Sequence, residues 1–469
     1  MILQHIYIAI LNVVFKLTGK ISERVRETLL FACFLIFACI YAFKAKTGDV
    51  QGRMAFCTVM VLFMTVLSVK KELKPIKWNY GIYIPFILFG IGILAISRLH
   101  FVGEGYTLFA VCLIFLLPAF YLVWINRGDY DRLYIKMAVA FGIAGTALFI
   151  YSFYAATNGD YQIYGDGRAL GTTGNPNYLG MAGLTMVLAG EYLFLEFKKI
   201  PGAVFSGVII GEGLSMIVES VSRAALLSAV FATIVLIIFV IKRNRSGDSE
   251  VKMTLKMASA ALIVLILLAY IGLEVDDLQK DVRRQQIYAE RNQTETADAT
   301  SNDFSLNSLI EKELNFTAYA DDFTDIGGRI IPDGDVDDFS SGRLGIWKVY
   351  LDKITVFGSD YNELEEQKDD FPNGKVIRAH NNFLEYLFRC GIPVSAFYIL
   401  IYLYMGLRVV GIIISKKRFY SGAFYSAVVF VAYALYSMVE ISDLPFVRCV
   451  PFLFFMSLAP YFEKESRYL

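Results

Sequence analysis

Apolar residues come along this chain in blocks of about 16 to 22, the length a helix needs to cross hydrocarbon. The blocks predict spans near 27–44, 54–69, 80–98, 106–126, 133–156, 178–196, 202–219, 223–241, 254–273, 383–412, 420–439 and 446–462. The pair 202–219 and 223–241 is divided by three residues only, so two spans or one broken re-entrant hairpin both fit. The opening segment "MILQHIYIAILNVVFKLTGK" is amphipathic and lacks a small-residue cleavage site, which predicts an interfacial helix. One long stretch, 274–382, breaks the apolar pattern. Within it "SGRLGIWKVYLDKITVFG" sets Leu344, Trp347, Leu351 and Ile354 at helical spacing, predicting an amphipathic helix against the bilayer or the membrane domain.

Composition agrees. The 469 residues are 56% hydrophobic and 19% charged, where soluble chains carry about a quarter charged residues. Mean hydropathy is +0.51. The expected fold class is an all-α polytopic membrane protein of about twelve transmembrane helices with one large extracytoplasmic loop. Its expected divisions are 1–273 (helices 1–9), 274–382 (the loop) and 383–469 (helices 10–12). The formal net charge of zero gives no reason to expect nucleic-acid binding. The six cysteines lie scattered through apolar stretches without metal spacing and read as buried free thiols.

Sidedness follows from the positive-inside rule. The segments "KKELKPIKW", "NRGDYDRLYIK", "FKKIPG", "IKRNRSGDSEVKMTLK" and "SKKRF" alternate with loops poor in Lys and Arg. They predict a multi-pass protein of the cytoplasmic membrane with both termini cytoplasmic. Segment 274–382, with about twice as many acids as bases, then lies outside.

With that orientation the outer face gathers an unusual set of side chains. "YGDGRALGTTGNPNYLG" carries Arg168, Asn175 and Asn177; "ESVSRAALLS" places Arg223 at the start of a span. Arg343 opens the amphipathic helix, and "RAHNNFLEYLFRCG" sets His380, one of three histidines, before Asn381 and Asn382. Singly, each has a plain structural reading: an Arg at a helix end snorkels to headgroups, or Arg223 pairs with Glu219 four residues earlier. Together they suit a lipid-anchored sugar diphosphate. Arginines pair phosphate oxygens bidentately and stay charged when partly desolvated, so no metal or other cofactor is required. A histidine can take the proton of an incoming sugar hydroxyl near neutral pH. Glu440 and Asp443, beyond the eleventh span, either orient His380 and assist the acceptor or belong to a hydrated loop.

"RALGTTGNPNYLG", "SRAALLS", "SGRLGIWKVYLDKITVFG" and "AHNNFLEYLFRCGIPVSAF", in this order with a large loop before the last, resemble the O-antigen ligase / O-antigen polymerase family over roughly residues 160–460. The resemblance implies a GT-C-like membrane glycosyltransferase that is inverting and metal-independent. Its donor would be an undecaprenyl-diphosphate-linked glycan and its acceptor another glycan, at the outer face of the bilayer, with polysaccharide-assembly proteins as candidate partners. Carried over, Arg223 and Arg343 contact the diphosphate and His380 is the base. Arg168, Asn175, Asn177 and Asn381 are assigned to substrate binding. A competing reading is a transporter or flippase of lipid-linked oligosaccharide, which requires polar residues at mid-span; Glu212 is the main one. A sensor with an external ligand-binding loop is a third, disfavoured by the low apolar content of 274–382.

Overall fold

The computed structural model describes residues 2–43, 50–99, 104–157, 169–197, 199–244, 257, 260–266, 343–360, 364, 378–414, 421–440, 446 and 448–464. Among them nine helical segments are long and apolar enough to cross a membrane. They are α2 (Glu23–Phe43), α4 (Tyr80–Leu99), α5–α6 (Glu104–Arg127, joined by a π-turn at Cys112–Leu116), α7 (Tyr130–Thr157), α8 (Pro176–Glu196), α9 (Ile200–Glu219), α10 (Arg223–Asn244), α12 (Asn382–Ile414) and α13 (Ser421–Val439). Shorter are α1 (Ile2–Thr18), α3 (Val50–Ser68), α11 (Arg343–Asp352) and α14 (Cys449–Ser457). Of the other three expected spans, 54–69 and 446–462 correspond to the shorter α3 and α14, and 254–273 lies largely outside the described residues.

These helices are apolar on both faces, as a membrane requires. Leu407 and Ile414 on α12 are each 73% exposed. Several hydroxyls inside are satisfied locally: Thr65, Thr185, Ser215 and Ser228 each donate to the carbonyl four residues earlier. Two mid-helix carboxylates are bridged to neighbouring helices, Glu191 of α8 by Thr233 of α10 at 2.7 Å and Glu212 of α9 by Thr146 of α7 at 2.6 Å. The first segment forms the expected helix. Gln4 of α1 bonds the Ile76 carbonyl, and Tyr7 bonds the Ile114 carbonyl within the π-turn, where helical pairing is disturbed.

The 202–219 and 223–241 pair resolves as two full helices. α9 packs on α8 so tightly that a Cβ on either Gly183 or Gly213 would collide with the other's carbonyl oxygen. α10 runs parallel to α8: Ser222 abuts Gly180, and eleven residues later in each helix Thr233 meets Glu191. Two distinct ends result. At one, α2, α6 and α7 meet in a network of charges (Glu23, Glu27, Lys70, Arg127, Asp129, Lys136). At the other, α8, α10, α11, α12 and α14 all begin.

Candidate functional site

The site end is assembled by local rules. In "TTGNPNYLG", Gly174 turns the chain at φ +65°, Asn175 caps α8 by accepting from the Asn177 N–H at 2.9 Å, and Pro176 takes the first helical position. Asn177 is thereby set on the first turn, where its Nδ2 donates to Glu440 Oε1 at 2.8 Å.

α11 is docked on α12. Its contact side is Ile346 and Tyr350, packed with Leu384, Phe388 and Ala379. The Tyr350 and Phe388 rings lie edge to face with centroids 5.2 Å apart, and Trp347 donates to the Ala379 carbonyl at 2.7 Å. The predicted stripe divides: Trp347 packs at the dock, while Leu344 and Leu351 are exposed, as is Phe357 at 70%. Periodicity alone does not distinguish a face turned to protein from one turned to lipid.

The dock continues in the backbone. In α12 the expected bond from the Ile392 N–H to the Phe388 carbonyl is open at the kink formed by Gly391, at φ +75°, and Pro393. Segment 356–359 satisfies both halves: Ile392 N donates to the Val356 carbonyl at 3.2 Å, and Ser359 N donates to the Phe388 carbonyl at 2.8 Å. Gly391 and Gly358 (φ +83°) permit this approach, since a Cβ on either would strike the other segment's backbone.

So held, α11 presents Arg343, whose Nη2 donates to Glu440 Oε1 at 2.7 Å. His380 precedes α12 with backbone φ +48°, a left-handed conformation uncommon for any residue but glycine. Asn381 caps that helix, its Oδ1 accepting from the N–H groups of Phe383 and Leu384 at 2.9 and 3.2 Å. His380 Nδ1 then lies 3.2 Å from Glu440 Oε2, with a third of its side chain exposed.

Glu440 is the hub. It follows α13, is 5% exposed, and meets Asn177, Arg343 and His380. Burial pushes its carboxyl up, but the His380 hydrogen bond and the Arg343 charge outweigh this, with His380 and Arg448 adding to them. The net result lies below the usual carboxylate range, so Glu440 is ionised at neutral pH. The hydrated-loop reading of Glu440 is thus overturned. Asp443 lies outside the described residues.

The structure therefore brings Arg343, His380 and Asn177 together on one carboxylate. Arg223 opens α10 beside the Gly180 turn of α8, after a joint in which Val221 has φ +46°. It shares no helix with Glu219, which ends α9. Asn175 and Asn381 serve as caps. Arg168 lies outside the described residues. Arg448, on the loop before α14, was not singled out by the sequence. Its Nη2 donates to the Tyr178 hydroxyl at 2.9 Å, and its guanidinium carbon stands 4.3 Å from the ring centre. The signal available was its place in a loop on the Lys- and Arg-poor side.

Residues 208–399, from mid-α9 to α12, match the family model described as O-antigen ligase. That match supports assigning the chain to the O-antigen ligase family. The span contains Arg223, Arg343 and His380, whereas Asn177, Glu440 and Arg448 lie outside it. No curated protein and no solved structure gives a significant match. Family and fold support a membrane glycosyltransferase of the O-antigen ligase or polymerase type.

Proposed function

We propose that the protein transfers glycan from an undecaprenyl-diphosphate-linked donor to an acceptor glycan at the outer face of the cytoplasmic membrane, with inversion and without a metal. The observation that carries this is the contact between His380 Nδ1 and the buried, ionised Glu440. A carboxylate only accepts, so the imidazole proton lies on Nδ1 and the lone pair on Nε2. Nε2 takes the proton of the acceptor hydroxyl as its oxygen attacks the anomeric carbon. The bond from that carbon to the diphosphate breaks, and the leaving oxygen keeps the electron pair. Arg343 and Arg223 stabilise the charge that develops there, with Arg168 a further binding group.

Several helices beginning at this end add their positive dipole ends, which favour an anionic ligand. The positive-inside pattern turns the same end outward and leaves both chain termini in the cytoplasm. For a transporter, Glu191 and Glu212 are the natural path residues. Each is instead bridged to a threonine of an adjacent helix.

The test is purified protein in detergent with lipid-linked glycan, where no second compartment exists. Product formation by the parent and its loss in a folded His380→Ala variant is the expected result. Unchanged donor in the parent would favour the transporter, and parental rates in His380→Ala would remove the base assignment. A product ladder indicates polymerase and single transfer to a different glycan indicates ligase.

A further inference from the structure

Arg448 adds a further cation to the Glu440 cluster, and both its hydrogen bond and its ring contact are made to a neutral side chain. Arg343 stands 2.7 Å from the Glu440 carboxylate and shares its charge with it. Arg448 is held differently, by the face of an aromatic ring and by a neutral hydroxyl, both from Tyr178. Tyr178 follows Asn177 on the first turn of α8, and Asn177 reaches Glu440. One helical turn therefore ties both Arg448 and the hub carboxylate to the same place. Arg448 is also the N-cap residue of α14, which sets it at the start of that helix. A ring beneath a guanidinium fixes its plane while its N–H edge can still meet two phosphate oxygens.

We propose that Arg448, held on Tyr178, is an additional binding contact for the diphosphate of the lipid-linked donor. It adds a guanidinium to those of Arg343 and Arg223. This rests on the function proposed above and extends its binding set to a residue beyond the family-matched span.

The test uses the full-length protein in detergent, with labelled polyprenyl diphosphate and polyprenyl monophosphate as probes beside the transfer assay. Arg448→Gln is expected to weaken diphosphate binding and raise the donor KM by about tenfold to a hundredfold, with the acceptor KM unmoved and monophosphate binding less affected. Arg448→Lys keeps the charge but loses the fork and falls between. Tyr178→Phe, which keeps the ring, loses less than Tyr178→Ala. Parental diphosphate affinity in Arg448→Gln overturns the proposal, as does an equal loss toward both phosphates and the acceptor, which would indicate a structural role. If Arg448→Gln does not fold, Arg448→Lys carries the test, and parental diphosphate affinity there is the overturning result. A parent that neither binds diphosphate nor transfers glycan defeats the broader function and this inference with it; a parent that does both while Arg448→Gln is unaffected defeats this inference alone.

Discussion

The two ends of the bundle both concentrate charge, and they use it in opposite ways. At the basic end, Arg127 lies between Glu27 and Asp129, and Lys70 reaches Glu23 and Glu27 at 2.6 and 2.5 Å. Cations and carboxylates there alternate and close on one another, so the network holds α2, α6 and α7 together and offers little to a ligand. At the site end one of the buried carboxylates, Glu440, gathers an arginine, an imidazole and an amide. Backbone strain falls there too: the two non-glycine residues with positive φ among the described residues are His380 and Val221, the latter two residues before Arg223. Strain of this kind costs about 1–3 kcal/mol and persists where the surroundings impose it. The difference teaches that charge density alone does not mark a site. An excess of donors around one acceptor, on strained backbone, is the more informative sign.

That contrast can be broken at several points. The largest effect on transfer is expected from His380→Ala, about a thousandfold in kcat, measured with purified protein at unchanged thermal stability. Glu440→Gln comes next, with a loss of about a hundredfold, as expected when the group orienting an imidazole is removed. Its stability effect also has a pH signature. Glu440 titrates lower in the fold than an ordinary carboxylate, so its ionised form is favoured on folding. That contribution is present above the unfolded carboxylate pKa and is lost as pH falls through the lowered folded value. The gap in thermal midpoint between parent and Glu440→Gln should therefore be largest near neutral pH and close as acid is added. A gap that widens in acid would contradict the assignment.

A smaller effect on turnover, about tenfold, is expected from Gly391→Ala, because a side chain at φ +75° against the Val356 carbonyl costs a few kcal/mol and loosens the α11 dock. Limited proteolysis near residue 352 would read that loosening directly. The smallest effect on turnover is expected from Arg127→Gln, at the opposite end. It breaks a largely buried network at about 3 kcal/mol, yet turnover per folded molecule should match the parent. Loss of turnover there would erase the distinction between the ends.

The spans were readable because hydrocarbon thickness imposes a length and lipid imposes composition. Arg343 and His380 were readable because each stands where a polar segment meets an apolar helix. Glu440 was only half readable. A carboxylate just past a span looks hydrated until other segments fold over it, and α8 and α11 supply that cover from 263 and 97 positions away. The caps at Asn175 and Asn381 were within reach: an Asn before Pro, or opening an apolar periodic run, is a helix start before it is a sugar ligand. The bonds from 356–359 into the α12 kink had only a faint signal, the glycines and Pro393. Their pairing is a tertiary fact.

The central claim, that Glu440 works through His380, is tested most directly by a double-mutant cycle on kcat with Glu440→Gln and His380→Ala. The account predicts that the double variant is scarcely slower than His380→Ala alone, since with the imidazole gone the carboxylate has no base left to orient. A double variant slowed by the full product of the two single effects would contradict it.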